Sequence, residues 1–176
     1  MKLFLKDDLI TLRALEPEDI DLLYEWENCE DNWTVSQTIA PISKHTLAIY
    51  IRESDKDIFE TKQLRMMITT CAGKNVGAID LFDFDPLNMR AGVGILVHDP
   101  ADRSKSYATS ALNLIIRYCF EKLGLHQIYA NILTDNDKSM KLFSKAGFVL
   151  SGTKKEWIRD GEKWKDEHLV QLLRRN

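Results

Sequence analysis

Seven short apolar stretches, bounded by turn residues and in part alternating with a two-residue period, predict β-strands. A turn at residues 72–75 separates the second stretch from the third, and an Asp-Gly turn at residues 159–162 separates the last two. Each of these pairs is therefore predicted to form an antiparallel hairpin. The seven stretches are residues 9–15, 64–70, 76–84, 89–97, 127–133, 148–158 and 164–173.

Four segments carry apolar residues at the three-to-four-residue spacing that indicates an amphipathic helix. The first begins at Pro17, which is followed by two acids that suit a helix N-terminus. The second covers residues 43–54, and the third begins near Tyr107. The fourth begins at residues 134–136 and ends at Gly147, a residue suited to a left-handed C-cap. Along the chain the order is a strand, two helices, three strands, a helix, a strand, a helix and two strands, so we expect a protein of mixed helices and strands (α+β).

A strand, a short polar loop and a helix follow one another around residues 93–112. The loop contains Arg103 and Lys105, and the helix begins directly after them. Free backbone N–H groups and the positive end of the helix dipole both favour an anion at such a helix start. This arrangement predicts a site for the phosphate of a cofactor.

The phosphate loop lacks the glycine patterns of nucleoside-triphosphate and dinucleotide sites, which excludes those two classes. Its residues 103–108 resemble the acetyl-CoA pyrophosphate loop of the GNAT superfamily of N-acetyltransferases, Gln/Arg-x-x-Gly-x-Gly/Ala. Arg103 and Ala108 match the ends of that pattern, whereas Ser104 and Ser106 stand where the family commonly has glycine. If the position of Ser106 needs a positive φ, serine costs roughly 1–2 kcal/mol that glycine would not.

Residues 136–148 resemble a second GNAT element, Asn-x-x-Ser/Ala-x-x-x-Tyr/Phe-x-x-x-Gly-Phe. The resemblance is nearest to the branch of polyamine and ribosomal-protein or protein N-terminal acetyltransferases. It implies the GNAT fold, a mixed α/β architecture in which helices flank a central twisted mixed sheet of about seven strands. It also implies one N-acetyltransferase domain over residues 1–176 and acetyl-CoA as the cofactor. The implied coenzyme-binding residues are Ile95, Leu96, Val97, Arg103, Ser104, Lys105, Ser106, Tyr107, Ala108, Thr109, Asn136, Ser139 and Phe143.

Two residues of the second element have alternative interpretations. Asn136 suits a helix N-cap as well as a coenzyme contact, and both roles are compatible. Phe143 stands where many family members have a tyrosine that protonates the leaving thiolate, and phenylalanine cannot do this. A thiol of pKa about 8.5 leaves as thiolate only about 2 kcal/mol uphill at neutral pH, so water could supply the proton.

Acetyl transfer requires the amine to lose a proton, which costs about 4–5 kcal/mol at neutral pH for an amine of pKa about 10.4. Asp80 is the candidate base because it lies in a strand that is apolar on both faces, where an idle carboxylate is costly. The alternative is an ion pair between Asp80 and an Arg or Lys of a neighbouring strand. Gly92 and Gly94 suggest either a bulge that frees a backbone N–H for the thioester carbonyl or simple close packing.

Acidic and aromatic residues cluster in the first helix and the loop expected after it. Acids and aromatic rings suit a cationic amine, through charge and cation–π contacts. The alternative is an ordinary solvated helix end. The candidate acceptor residues are Glu27, Glu30, Asp31 and Trp33.

The net charge of −3 argues against nucleic acid or an anionic membrane as the main partner. Three widely spaced cysteines suggest reduced thiols and a cytoplasmic protein. The four histidines show no metal-ligand spacing, so no metal is expected. The start of the chain contains no apolar run long enough for a signal peptide or membrane span.

These observations together predict an acetyl-CoA-dependent acyltransferase that acetylates a primary amine by direct attack on the thioester. A small polyamine-like acceptor is preferred. The alternatives are a peptide or protein N-terminus as acceptor, and a GNAT-like domain that binds coenzyme A without catalysis. Whether the chain forms a homo-oligomer is left open.

Overall fold

The computed structural model describes residues 5–36, 38–103 and 105–175. Seven strands form one sheet in the order β1-β2-β3-β4-β5-β7-β6. All neighbouring strands are antiparallel except β4 and β5, which run parallel. The strands are β1 (Ile10–Arg13), β2 (Leu64–Thr70), β3 (Asn75–Asp85), β4 (Arg90–Val97), β5 (Gln127–Leu133), β6 (Val149–Asp160) and β7 (Lys163–Leu173). The predicted mixed sheet and its two hairpins, β2–β3 and β6–β7, are confirmed.

Six α-helices are present in the described part of the chain. The segment after the first helix, expected to be a loop, is a second helix that begins at Glu30, and the short helix at Ile58–Thr61 was not predicted either. A 3₁₀ turn at Pro17–Asp19 leads into the first helix, and a π turn at Tyr118–Lys122 ends the fifth. The helices are α1 (Ile20–Glu27), α2 (Glu30–Ser36), α3 (Lys44–Glu53), α4 (Ile58–Thr61), α5 (Tyr107–Arg117) and α6 (Asp137–Lys145).

The two faces of the sheet are covered by different helices. Ile79 lies in one buried apolar cluster with Ile115 of α5 and Phe143 of α6. Its chain neighbour Ala78 lies in a second cluster with Leu23 of α1, which also includes residues of α3. Successive residues of a strand point to opposite faces. The helices α5 and α6 therefore cover one face, and α1 and α3 cover the other.

The strands β4 and β5 pair over only three residue pairs, of which the last joins Gly92 to Tyr129. Beyond Gly92, β4 continues to Val97 against β3, and β5 continues to Leu133 against β7. The two parallel strands therefore diverge, and each leaves a free backbone edge facing the gap between them.

The bulge that was the first of two interpretations of Gly92 and Gly94 is not present on the β3 side, where both glycines keep regular pairing. The irregularity lies instead in β3, at Asp83 with φ 48°. A Cβ at Gly92 would lie 2.2 Å from the Phe82 ring. Close packing of that ring across the sheet, the second interpretation, is what requires glycine there.

Within the described residues, no helix combines the length and the apolar character that a membrane span requires. The three cysteines are free thiols: Cys119 is buried, Cys29 is partly exposed and Cys71 is exposed.

Candidate functional site

The free edge of β4 presents backbone groups to the gap between β4 and β5. The His98 N–H donates to the Val76 carbonyl of β3 at 3.1 Å. Because the hydrogen-bonding direction alternates along a strand, the backbone groups of Ile95 and Val97 point away from β3 and into the gap. The backbone of Leu96 faces β3. Of the three predicted contacts on this strand, Ile95 and Val97 thus have the backbone groups that a ligand in the gap can reach.

The phosphate loop ends at Ser106, the N-cap of α5, which adopts the left-handed conformation with φ 63° and ψ 7°. The carbonyl of Ser106 accepts the first helical hydrogen bond, from the N–H of Ser110 at 2.9 Å. The N–H groups of Tyr107, Ala108 and Thr109 belong to the first helical turn and have no acceptor within the helix. Ser106 thus has the positive φ at which serine is costlier than glycine, and the helix start leaves three donors for an anion. Ser104 lies outside the described residues.

The two basic residues of the phosphate loop make defined contacts. Arg103 folds back on the end of β4 and donates to the carbonyls of Val97 at 3.0 Å and His98 at 2.9 Å. Lys105 donates to Asp102 at 2.9 Å, and Lys74 of the β2–β3 turn donates to the other oxygen of the same carboxylate at 2.6 Å. Asp102 is 2% exposed, and the hydrogen bonds from the two lysines lower the pKa of its carboxyl.

The second motif forms the start of α6 and part of the core. The Asn136 side chain accepts from the N–H of Ser139 at 3.1 Å, so its role as N-cap is confirmed. Phe143 is 3% exposed and packs edge-on against Phe148, with ring centroids 5.0 Å apart. The left-handed Gly147, with φ 97°, follows the C-cap of the helix, as predicted. Phe143 offers a ring but no proton at this position.

A solvent-connected cavity of about 390 Å³ lies on the α1–α3 side of the sheet, and Asp80 of β3 is part of its wall. Asp80 lies opposite Gly94 of β4, two residues past the point where β4 and β5 separate. The strand β4 therefore lies between the Asp80 end of the cavity and the gap. Its lining residues are Glu27, Ile42, Thr46, Leu47, Tyr50, Gln63, Arg65, Asp80, Leu81 and Phe82.

Arg65 of β2 joins the two acids of this cavity. Its guanidinium donates to both oxygens of Asp80, at 2.6 and 3.1 Å, and also to Glu27 of α1. Burial opposes the charge of Arg65, but the nearby Asp80 carboxylate outweighs burial and raises the pKa of Arg65 above its usual value. The guanidinium also lies 5.5 Å from the centre of the Tyr50 ring. The ion pair offered as the alternative for Asp80 is thus the arrangement observed.

The four predicted acceptor residues are separated by the structure. Glu27 lines the cavity, whereas Glu30 and Asp31 lie exposed in the first turn of α2. The Trp33 indole N–H donates to the Glu27 carbonyl at 3.0 Å and so holds α2 against the end of α1. Only Glu27 of this group has its carboxylate in the cavity.

Sequence reasoning did not single out Arg65, Tyr50 or Lys74 for the site. The sequence does mark Arg65 as a candidate, because it is a charged residue within the apolar strand at residues 64–70. Tyr50 lies in the predicted second helix, residues 43–54, and it lines the cavity. Nothing in the sequence connects Lys74 with Asp102, because the two are 28 residues apart.

The diverging parallel strands, the helix N-terminus at their open end and the polar cavity beside them define the class of this protein, an acyltransferase of GNAT fold. Residues 10–149 match the acetyltransferase (GNAT) domain, and the chain belongs to that family. The spermidine N(1)-acetyltransferase of Escherichia coli (strain K12) is 26% identical over 143 residues, which are 81% of this chain and 74% of that protein.

Two further comparisons agree with this assignment. An uncharacterized N-acetyltransferase derived from the SPbeta prophage of Bacillus subtilis (strain 168) is 26% identical over 143 residues, covering 81% of this chain and 77% of that protein. The crystal structure of spermidine N-acetyltransferase from Vibrio cholerae, in complex with CoA and spermine, superposes with a TM-score of 0.85. It covers 95% of this chain and 96% of that chain at 23% identity, and it confirms the predicted fold.

Proposed function

We propose that this protein transfers the acetyl group of acetyl-CoA to a primary amine that carries a positive charge, a small polyamine-like molecule. The observation that carries the proposal is the gap between β4 and β5, with free donors of α5 at its open end and the acidic cavity beside it. Similarity to spermidine acetyltransferases supports the amine class. Acetyl-CoA supplies the thioester carbonyl that the amine attacks.

The residues present fit coenzyme A. The first turn of α5 offers three unpaired N–H groups to a phosphate. The left-handed Ser106 turns the chain from the loop into α5, so that these N–H groups lie at the end of the loop. The edge of β4 at Ile95, together with the Val97 N–H, can hydrogen-bond an extended chain in the way that a sheet edge binds a peptide, while the Val97 carbonyl accepts from Arg103. Phe143 and Phe148 pack edge-on against each other in the apolar core under the α5–α6 face of the sheet.

The acidic cavity is assigned to the amine. Glu27, Asp80 and Arg65 together carry one net negative charge, which attracts an ammonium group. Both oxygens of Asp80 already accept hydrogen bonds from the Arg65 guanidinium. We therefore assign Asp80 to holding the ammonium group, with the proton passing to water in the open cavity. A direct role of Asp80 as the base stays a prediction, which its asparagine variant tests.

An amine panel with purified protein tests the proposed function. Release of free thiol from acetyl-CoA is measured with diamines, polyamines, monoamines and a peptide with a free N-terminus. We expect turnover with diamines or polyamines and a lower KM at low salt, because attraction between exposed charges is screened by salt. Turnover with the peptide alone would show that the acceptor is a peptide N-terminus and not a polyamine-like molecule. Coenzyme binding without turnover of any amine would identify a non-catalytic coenzyme-binding domain.

A further inference from the structure

Asp102 is a buried acid that holds two lysines from different parts of the chain. It ends the 3₁₀ turn Pro100–Asp102 that connects β4 to the phosphate loop, and it is 2% exposed. One carboxylate oxygen accepts from Lys74 at 2.6 Å and the other accepts from Lys105 at 2.9 Å. A buried carboxylate is tolerated because both of its oxygens are paired with charged donors.

The two lysines retain capacity to bind a second anion. Their side chains stay 58% and 53% exposed, so the ammonium groups are in contact with solvent. An ammonium group has three N–H donors, and Asp102 accepts only one from each lysine. These three groups carry one net positive charge, which Asp99 offsets in part because its carboxylate lies 4.0 Å from the Lys74 ammonium group. Lys105 directly precedes Ser106, so this charge lies at the N-terminus of α5, where the helix dipole is also positive.

We propose that Lys74 binds a phosphate of coenzyme A together with Lys105, which the resemblance already implies as a coenzyme contact, and that Asp102 is the positioning residue that holds both lysines beside α5. The inference rests on the proposed function, because coenzyme A is the phosphate-bearing ligand of that function. Lys74 lies in the β2–β3 turn, outside both sequence motifs that resemble the coenzyme site. The coenzyme carries a pyrophosphate and a 3′-phosphate, and the N–H groups of one helix end supply no full charge to balance them.

The inference is tested by calorimetric titration of the full chain with coenzyme A and with 3′-dephospho-coenzyme A. Lys74→Met is compared with Lys44→Met, a matched control. Lys44 also donates to an aspartate at 2.6 Å and is 56% exposed, but its partner is Asp21 at the start of α1. We expect Lys74→Met to raise the Kd for coenzyme A about 5- to 20-fold and to flatten its dependence on salt. Lys44→Met should leave the Kd unchanged.

The two ligands distinguish which phosphate is bound. A loss confined to coenzyme A assigns Lys74 to the 3′-phosphate, and an equal loss with both ligands assigns it to the pyrophosphate; either result supports the proposal. Unchanged binding of both ligands by Lys74→Met overturns it. If the unaltered protein binds neither ligand, the proposed function fails instead, and the two failures are therefore distinguishable.

Asp102→Asn tests the positioning role separately. Removal of a negative charge beside the phosphate site would by electrostatics alone tighten binding. If Asp102 acts by holding the lysines in place, its asparagine variant instead binds coenzyme A more weakly than the unaltered protein. Equal or tighter binding of coenzyme A by Asp102→Asn overturns the positioning role. The phosphate contact of Lys74 is then judged from the titration of Lys74→Met alone. Thermal unfolding of each variant confirms that the titrated protein is folded.

Discussion

The Arg65 guanidinium binds both oxygens of Asp80, donating from Nε at 2.6 Å and from an Nη at 3.1 Å across the β2–β3 pair. Its remaining nitrogen donates to Glu27 and so ties α1 to the sheet. Both side chains of the Arg65–Asp80 pair are less than a third exposed. The ion pair is therefore partly buried, and it forms the charged wall of the proposed acceptor cavity.

Breaking this ion pair from either side is expected to be costly. Arg65→Met leaves two acids without a partner and should lower the free energy of unfolding by about 3 kcal/mol, toward the lower end of the range for buried pairs. Urea denaturation measures this loss. The double variant Arg65→Met/Asp80→Asn should recover part of it, since the uncompensated charge is removed. Strictly additive losses would contradict a coupled pair.

Asp80→Asn also separates binding from proton transfer. Loss of a general base typically lowers kcat by about 10²–10⁴, whereas loss of an ammonium contact raises KM. We expect mainly a higher KM for the amine. A fall of kcat by two orders of magnitude or more, with an unchanged KM, would instead establish Asp80 as the base.

Glu27 and the exposed acids of α2 should contribute unequally to amine binding. Glu27→Gln removes a charge inside the cavity and is expected to raise the KM for diamines by about tenfold, as for a charged hydrogen bond. The pair Glu30→Gln/Asp31→Asn removes exposed charges, worth about 0.2–1 kcal/mol each, and its smaller effect should disappear as salt rises. Initial rates at low and high salt measure both. An equal effect of the two variants would place the amine over α2.

Ser106→Gly should stabilise the protein. The left-handed φ of 63° strains serine but not glycine. Glycine loses more backbone entropy on folding, which offsets part of this gain, so we expect a net stabilisation of about 1 kcal/mol. Thermal unfolding should therefore shift upward by about 2–4 °C for a chain of this size. Ser144→Gly, inside α6, is the control and should destabilise instead. Coenzyme affinity should be retained; a large loss would show that the Ser106 hydroxyl binds the coenzyme.

Phe143→Tyr should change kcat only a few-fold, because the thiolate leaves about 2 kcal/mol uphill at neutral pH and water can protonate it. Phe143 is buried against Phe148, so the added hydroxyl mainly costs packing. Phe148→Tyr, which adds a hydroxyl to the other ring of the contact, is the control for that cost. A several-hundredfold rise in turnover would show that the absent acid limits the natural protein.

Asp102 should make the stability of the protein depend on acid pH. Its folded-state pKa is lowered by hydrogen bonds from Lys74 and Lys105, while the unfolded value is about 3.9. The Asp102 carboxylate therefore stabilises the fold above about pH 4, and this stabilisation is lost as the pH falls through the lowered folded-state pKa. Urea denaturation across that range should give a shallower pH slope for Asp102→Asn. Parallel curves for the variant and the unaltered protein would contradict this linkage.

The strands, both hairpins, the starts of α5 and α6 and the left-handed Gly147 could be predicted, because each depends on residues that are adjacent or one turn apart. The motif raised a positive φ at Ser106 as one explanation of a position usually held by glycine, and the structure shows that this explanation applies. The helix α2 could not be predicted in the same way. It is seven residues long, and its Trp33 is held by the end of α1. Such a short helix depends on tertiary contacts rather than on its own sequence.

The sequence by itself determined the class of fold and the family, and it supplied the prediction of where coenzyme A binds. Only the tertiary structure decided which charges meet. Asp80 and Arg65 are 15 residues apart, Glu27 and Arg65 are 38 apart, and Lys74 and Asp102 are 28 apart. No periodicity connects such positions, and an acid in an apolar strand is equally consistent with a base and an ion pair. The register of β2 against β3 places the Arg65 guanidinium next to Asp80. This contact, which only the folded chain creates, makes Asp80 part of an ion pair.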